Sequence, residues 1–214
     1  MGFRYLTLKC GSLTVITGSV GVGKTTLLRV LLGLLPMQSG NLFWNDQKIH
    51  NLANFLILPQ AAYTPQIPQL FSASLRDNLL LGLAGKQIEN ELARAIATAI
   101  FEQDVTAMPN GLETLVGTQG FRLSGGQKQR AAAARMLLRQ SQLLVFDDLS
   151  SALDIKTEEQ LWNKLLKPTT AKQSSTYLAV SHRLSVLNRA DQIIVLEAGQ
   201  IADVKSFSHS SSRW

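Results

Sequence analysis

A chain of 214 residues with 45% hydrophobic and 17% charged residues has the size and balance of one folded α/β domain, which excludes a disordered tail and a polytopic membrane protein. Its most apolar stretches, Thr26 to Met37 and Leu79 to Gly85, fall short of the roughly 20 residues that span a bilayer, and Arg4, Thr7 and Lys9 interrupt any secretory leader. A formal charge of +6 from scattered Lys and Arg favours anionic partners, 7% aromatics without basic interleaving argues against nucleic acid, and the single Cys10 fits a reducing, cytoplasmic setting.

In chain order, the β-type run Leu13 to Thr17 leads into the glycine-rich segment Gly18 to Thr26, and an apolar helix follows from Leu27 to Leu35, stopped by Pro36. Short strands are predicted at Asn41 to Trp44, closed by an Asn45-Asp46 turn, and at Ala61 to Thr64, ended by Pro65-Gln66. From Ser74 to about Thr106 the pattern is helical, with Leu75 to Leu81 followed by Ile88 to Phe101. Ser124 caps an alanine-rich helix from Gly126 to about Arg139, and Leu143 to Phe146 is a buried strand ending at Asp147-Asp148. A helix over Lys156 to Lys167, a strand over Thr176 to Val180, and a strand over Gln192 to Leu196 turned at Gly199-Gln200 complete the alternation. Such alternation implies a mainly parallel core sheet. The serine-rich segment 206–214 reads as a disordered tail.

Gly18-Ser19-Val20-Gly21-Val22-Gly23-Lys24-Thr25 fits G-x-x-x-x-G-K-[ST], the P-loop pattern, between a strand and a helix. Its glycines let backbone N–H groups face phosphate oxygens, Lys24 reaches the β- and γ-phosphates, and Thr25 serves Mg²⁺. The strand 143–147 delivers Asp147 at its C-terminal end, where ligands of open α/β sheets sit, in position to hold Mg²⁺ through water. Leu123-Ser124-Gly125-Gly126-Gln127 puts a hydroxyl at a helix N-cap and bare backbone N–H groups behind it, a second anion-binding arrangement or an ordinary loop before a helix.

Followed by Lys128-Gln129-Arg130, that segment resembles the signature of the ATP-binding cassette (ABC) family, and the resemblance extends in order from the P-loop to Val204. It implies a P-loop NTPase core with a mainly parallel sheet over 1–205, and a helical subdomain at about 70–140 that carries the signature. It also implies binding and hydrolysis of ATP with Mg²⁺. By the same resemblance Gln66 is the Q-loop glutamine that touches Mg²⁺ and the attacking water, and Ser151-Ala152-Leu153-Asp154 is the D-loop, although Asp154 alone reads as a helix N-cap. His182 is then the histidine that contacts the γ-phosphate. The phosphates would be held by Gly18 to Thr25 with Thr26, and in a dimer by Ser124, Gly125, Gly126, Gln127 and Asp154 of the opposing cassette. Leu70 to Asn78 and Gly111 to Gly117 are similar to exporter-type cassettes, which implies membrane-spanning subunits, a second cassette and a place on the cytoplasmic face of a membrane.

The chain departs from the family pattern at two places. Asp148 stands where strongly hydrolytic cassettes have Glu, one methylene longer, so the expected ATPase is slow, and a degenerate cassette that dimerises without efficient hydrolysis is the alternative reading. Tyr5 lies too close to Gly18 to be the aromatic that stacks on adenine in the family, so that role is left unassigned, as expected of an N-terminally shortened piece of a longer transporter. A soluble ABC ATPase outside transport and a truncated, inactive remnant are the remaining alternatives.

Overall fold

The structure is a computed structural model, and it describes residues 6–85, 88–149, 152–167 and 175–207. The chain divides into two compact units, one made of residues 1–63, 141–147 and 171–214 and the other of residues 64–140 and 148–170. The expected helical subdomain at about 70–140 therefore falls in a unit that also takes in 148–170. Tyr5, Ser151 and the tail from residue 208 lie outside the described residues.

The first unit is built on a sheet. In chain order its elements are β1 (Leu13–Gly18), α1 (Lys24–Leu31), β2 (Leu42–Trp44), β3 (Gln47–Ile49), α2 (Leu52–Phe55), β4 (Ala61–Thr64), β5 (Leu143–Asp147), β6 (Thr176–Val180), α8 (Leu184–Leu187), β7 (Gln192–Glu197) and β8 (Gln200–Ser206). The strand order is β4-β5-β6-β1-β7-β8, with β5, β6, β1 and β7 mutually parallel and β8 antiparallel to β7. This is the α/β class expected of the sequence. Every residue of β5 is buried, as a central strand covered on both faces requires. Ile16, Leu28, Val145, Leu178 and Ile194 pack in one cluster, each contributing roughly 1.5–3 kcal/mol by leaving water.

Three local differences from the sequence reading have physical causes. Helix α1 starts at Lys24 and stops at Leu31, well before Pro36. Gly33, at φ +70°, ends it: Leu34 N–H donates to Arg29 O and Gly33 N–H to Val30 O, a Schellman closure that proline did not need to supply. The predicted helix from Ile88 to Phe101 breaks after Thr98, because Ile100 takes φ +56°. Ser206, assigned to the tail by composition, is the last residue of β8 and pairs with Gln192.

The second unit is helical: α3 (Leu75–Leu80), α4 (Ile88–Thr98), α5 (Glu102–Ala107), α6 (Gly125–Leu137) and α7 (Ile155–Leu165), with 3₁₀ turns at Gly111–Glu113 and Thr118–Gly120. Ala131, Ala132, Ala133 and Ala134 of α6 are all buried. At roughly 100° per residue, four consecutive buried positions mean that this helix is covered on every side.

Candidate functional site

In the first unit, the register of the sheet sets the geometry. Asp147 of β5 pairs with Val180 of β6, and Val180 pairs with Ile16 of β1, so β5 and β6 end level with each other and β1 runs two residues further, to Gly18. Beyond that edge lie Asp147 itself, the glycine loop from Gly18, and His182. A side chain at Gly18 is excluded, because its φ is +145° and a Cβ there would stand 2.4 Å from Leu196 O. Val20 at the loop tip is fully exposed, Ser19 and Thr26 are exposed, and Val22 packs against the core. The Lys24 ammonium donates to Gly18 O and Ser19 O, both at 2.8 Å, which bends its side chain back over the loop. A Cβ built at Gly21 or Gly23 would meet nothing within 4 Å, so the space over the loop is open.

Asp147 is 2% exposed, and both of its oxygens are engaged. Thr25 Oγ1 donates to Oδ1 at 3.0 Å and Tyr63 OH to Oδ2 at 3.1 Å. Burial and the neighbouring Asp147 carboxylate push the Tyr63 phenol above its ordinary value. A hydroxyl and a carboxylate at this separation form an oxygen-only set, which suits a small hard cation that completes its shell with phosphate oxygens and water. His182 is exposed on a turn fixed on both sides by Ser181, whose N–H donates to Ile16 O and whose Oγ accepts from Arg183 N–H.

The second unit holds the remaining candidates in separate places. Gln66 Nε2 donates to Asp148 Oδ2 at 3.3 Å, so the amide and the shortened carboxylate meet directly. Asp148 sits at φ +54°, a left-handed conformation that Asp tolerates better than longer side chains do.

At the start of α6, Ser124 and Gln127 form a capping box: Ser124 Oγ accepts from Gln127 N–H, and Gln127 Oε1 accepts from Ser124 N–H. Gln127 Nε2 and the Arg130 guanidinium both donate to Asp104, fixing the first turn from the side. Gly125 is exposed and Gly126 half-buried in that turn. Asp154 caps α7, accepting from Thr157 N–H at 3.0 Å and Thr157 Oγ1 at 2.6 Å, and these bonds hold its carboxyl below the usual value. Asp104, Arg130 and Tyr63 had no assigned role in the sequence. Only Arg130, one turn after Gln127, carried a local signal of its place.

An ABC transporter family signature matches residues 5–151. Among curated relatives, "Probable multidrug resistance ABC transporter ATP-binding/permease protein YheI" of Bacillus subtilis is 36% identical over 197 residues, covering 92% of this chain and 33% of that protein. The ATP-dependent lipid A-core flippase of Acinetobacter baylyi is 33% identical over 198 residues, covering 92% of this chain and 34% of its own. A solved bacterial Atm1-family ABC exporter with ATP bound superposes with a TM-score of 0.84 at 31% identity, covering 93% of this chain and 34% of that one. The chain thus spans about a third of the length of these relatives. Over that span both sequence and backbone agree, and the chain belongs to the ABC transporter family.

Proposed function

We propose that this chain is the nucleotide-binding part of an exporter-type ABC transporter, which binds MgATP and hydrolyses it to drive export through membrane-spanning segments. The observation that carries this reading is the hydrogen bond from Thr25 to Asp147, which joins the end of the P-loop to the end of β5 at the edge of the sheet. Backbone N–H groups of Gly18 to Thr25 and the N-terminus of α1 hold the phosphates, and Lys24 exchanges the carbonyls of Gly18 and Ser19 for β- and γ-phosphate oxygens. Thr25 and Asp147 would hold Mg²⁺, with Gln66 proposed as a further ligand, and the ion would supply positive charge against the phosphates. Asp148 accepts hydrogen bonding from the attacking water that Gln66 orients, and His182 donates to the γ-phosphate.

Ser124, Gly125, Gly126, Gln127 and Asp154 serve the nucleotide of a second cassette in a dimer. In the described residues no helix is long and apolar enough to cross a membrane, and the reading places the chain at the cytoplasmic face beside its membrane-spanning partners. No nucleic acid is a partner in it.

Lys24→Ala tests the assignment. At MgATP of about 100 times Kd, binding adds about 2.7 kcal/mol to stability, read as a thermal shift. The shift is expected in the wild type and absent in the variant; an equal shift in both overturns the P-loop role. A second reading, a cassette that binds ATP but turns it over poorly, is favoured by Asp148, whose short carboxylate is already engaged by Gln66.

A further inference from the structure

Helix α6 does more than present Ser124. The chain from Thr64 to Gln69, which carries Gln66, is tied to it at three places. Thr64 Oγ1 donates to Met136 Sδ at 3.3 Å, Gln129 Nε2 donates to Gln66 O at 2.7 Å, and Arg135 Nη1 donates to Gln69 O at 3.0 Å. Gln129 and Met136, seven residues apart, lie within about 20° of each other around α6, and Arg135 leaves the helix about 100° away from Met136.

The anchors are rigid. Gln129 is 2% exposed, so its amide has no water to exchange for the Gln66 carbonyl. Arg135 also donates from Nε to Asn78 O and from Nη2 to Asn78 Oδ1. Burial, followed by the nearby Arg139, lowers its pKa to about 10. Asn78, fully buried, spends its other capacity on Phe71 and Ser74: Oδ1 accepts from Phe71 N–H, and Nδ2 donates to Phe71 O and Ser74 O. The segment after Gln69 is therefore fixed by the same network.

A hydrogen bond to a carbonyl orients the peptide plane, whatever side chain the residue bears. With the planes at Gln66 and Gln69 fixed, the Gln66 side chain retains only its own rotamers, and it meets Asp148 Oδ2. We propose that Gln129 and Arg135 are positioning residues for Gln66, setting from α6 the backbone from which its amide acts in hydrolysis. This rests on the reading of Gln66 given under the proposed function.

The test uses Gln129→Met, which keeps the volume and removes the donor. Hydrogen exchange over residues 64–70 should quicken by about 10-fold, with the sheet unit unaffected. Turnover should fall by about 10-fold while the MgATP thermal shift stays at the wild-type value. The double variant Gln66→Ala/Gln129→Met should be no slower than Gln66→Ala alone, since Gln129 acts through Gln66. Unchanged exchange, unchanged kcat, or additive losses overturn the proposal, and additive losses mark a role in general stability. Should Gln129→Met fail to fold, Gln129→Glu replaces it. Its protonated carboxyl donates and its ionised form does not, so its kcat relative to wild type must fall as pH rises, and a constant ratio overturns the proposal. A wild type with no MgATP shift overturns the nucleotide reading and this inference with it. A wild type that binds without turnover removes the hydrolytic reading alone, and the exchange result then decides whether α6 sets the Gln66 backbone.

Discussion

Thr25 Oγ1 donates to Asp147 Oδ1 across 3.0 Å, so the first turn of α1 and the last residue of β5 share one hydrogen bond. Thr25→Val keeps the branched shape and removes the donor. The apo protein should lose about 1.5 kcal/mol, the order of a hydrogen bond to a charged group. The larger effect should be on the metal dependence of nucleotide binding. In the wild type the thermal shift with ATP should be larger with Mg²⁺ than with EDTA, and in Thr25→Val the two should coincide. A preserved difference would remove Thr25 from the metal site.

Asp148→Glu lengthens the carboxylate that Gln66 now contacts. Turnover should rise, up to about 10²-fold, because errors of position near 1 Å cost about that much, and the change should fall in kcat rather than in ATP affinity. The left-handed backbone at φ +54° opposes the exchange, since a longer side chain there costs on the order of 1 kcal/mol. The expected variant is faster and melts a few degrees lower, roughly 2–4 °C for a chain of this size. A variant with lower Tm and unchanged kcat would show that the aspartate is already competent.

Gly33→Ala tests what stops α1. The residue has φ +70°, and a Cβ would stand 2.5 Å from Ala53 N, so both the backbone and the α2 segment must yield. The loss should be about 2 kcal/mol or more. Gly82, at φ +80° with nothing within 4 Å of its Cβ, isolates the conformational part, and Gly82→Ala should cost only about 1 kcal/mol. Denaturant titration of the two variants checks the ordering.

Tyr177 in β6 gives a pH dependence. Burial raises its phenol pKa above the ordinary value, and a hydrogen bond with Ser175 offsets part of the rise. Because the folded value lies above the unfolded one of about 10, the contribution of the neutral phenol is complete below about pH 10 and is lost as pH rises through the folded value. Wild-type stability should therefore decline more steeply above pH 10 than that of Tyr177→Phe. Parallel curves would rule out Tyr177 as the cause.

The legible parts of the sequence were those with a local signal. The limits of β4 and β6 were read as the structure has them, because short apolar runs bounded by turn residues describe buried strands. The P-loop stood out because glycines, lysine and threonine fall at fixed spacing between two elements. Strand β8 carries no legible signal, because most of it is exposed and leaves no apolar alternation to read. Sequence alone points to Pro36 as the end of α1, since a proline is a louder marker than Gly33 among leucines. Partners distant in sequence left no trace at all: Tyr63 meets Asp147 across 84 positions and Arg130 meets Asp104 across 26.

The buried alanines of α6 have a consequence for how this helix tolerates change. With Ala131, Ala133 and Ala134 fully enclosed, a larger side chain must push a neighbour aside, while glycine surrenders about 1 kcal/mol of helix propensity per position. Substitution in either direction is thus unfavourable. The helix behaves as a rail of fixed gauge, and a variant library across these positions should return alanine almost alone.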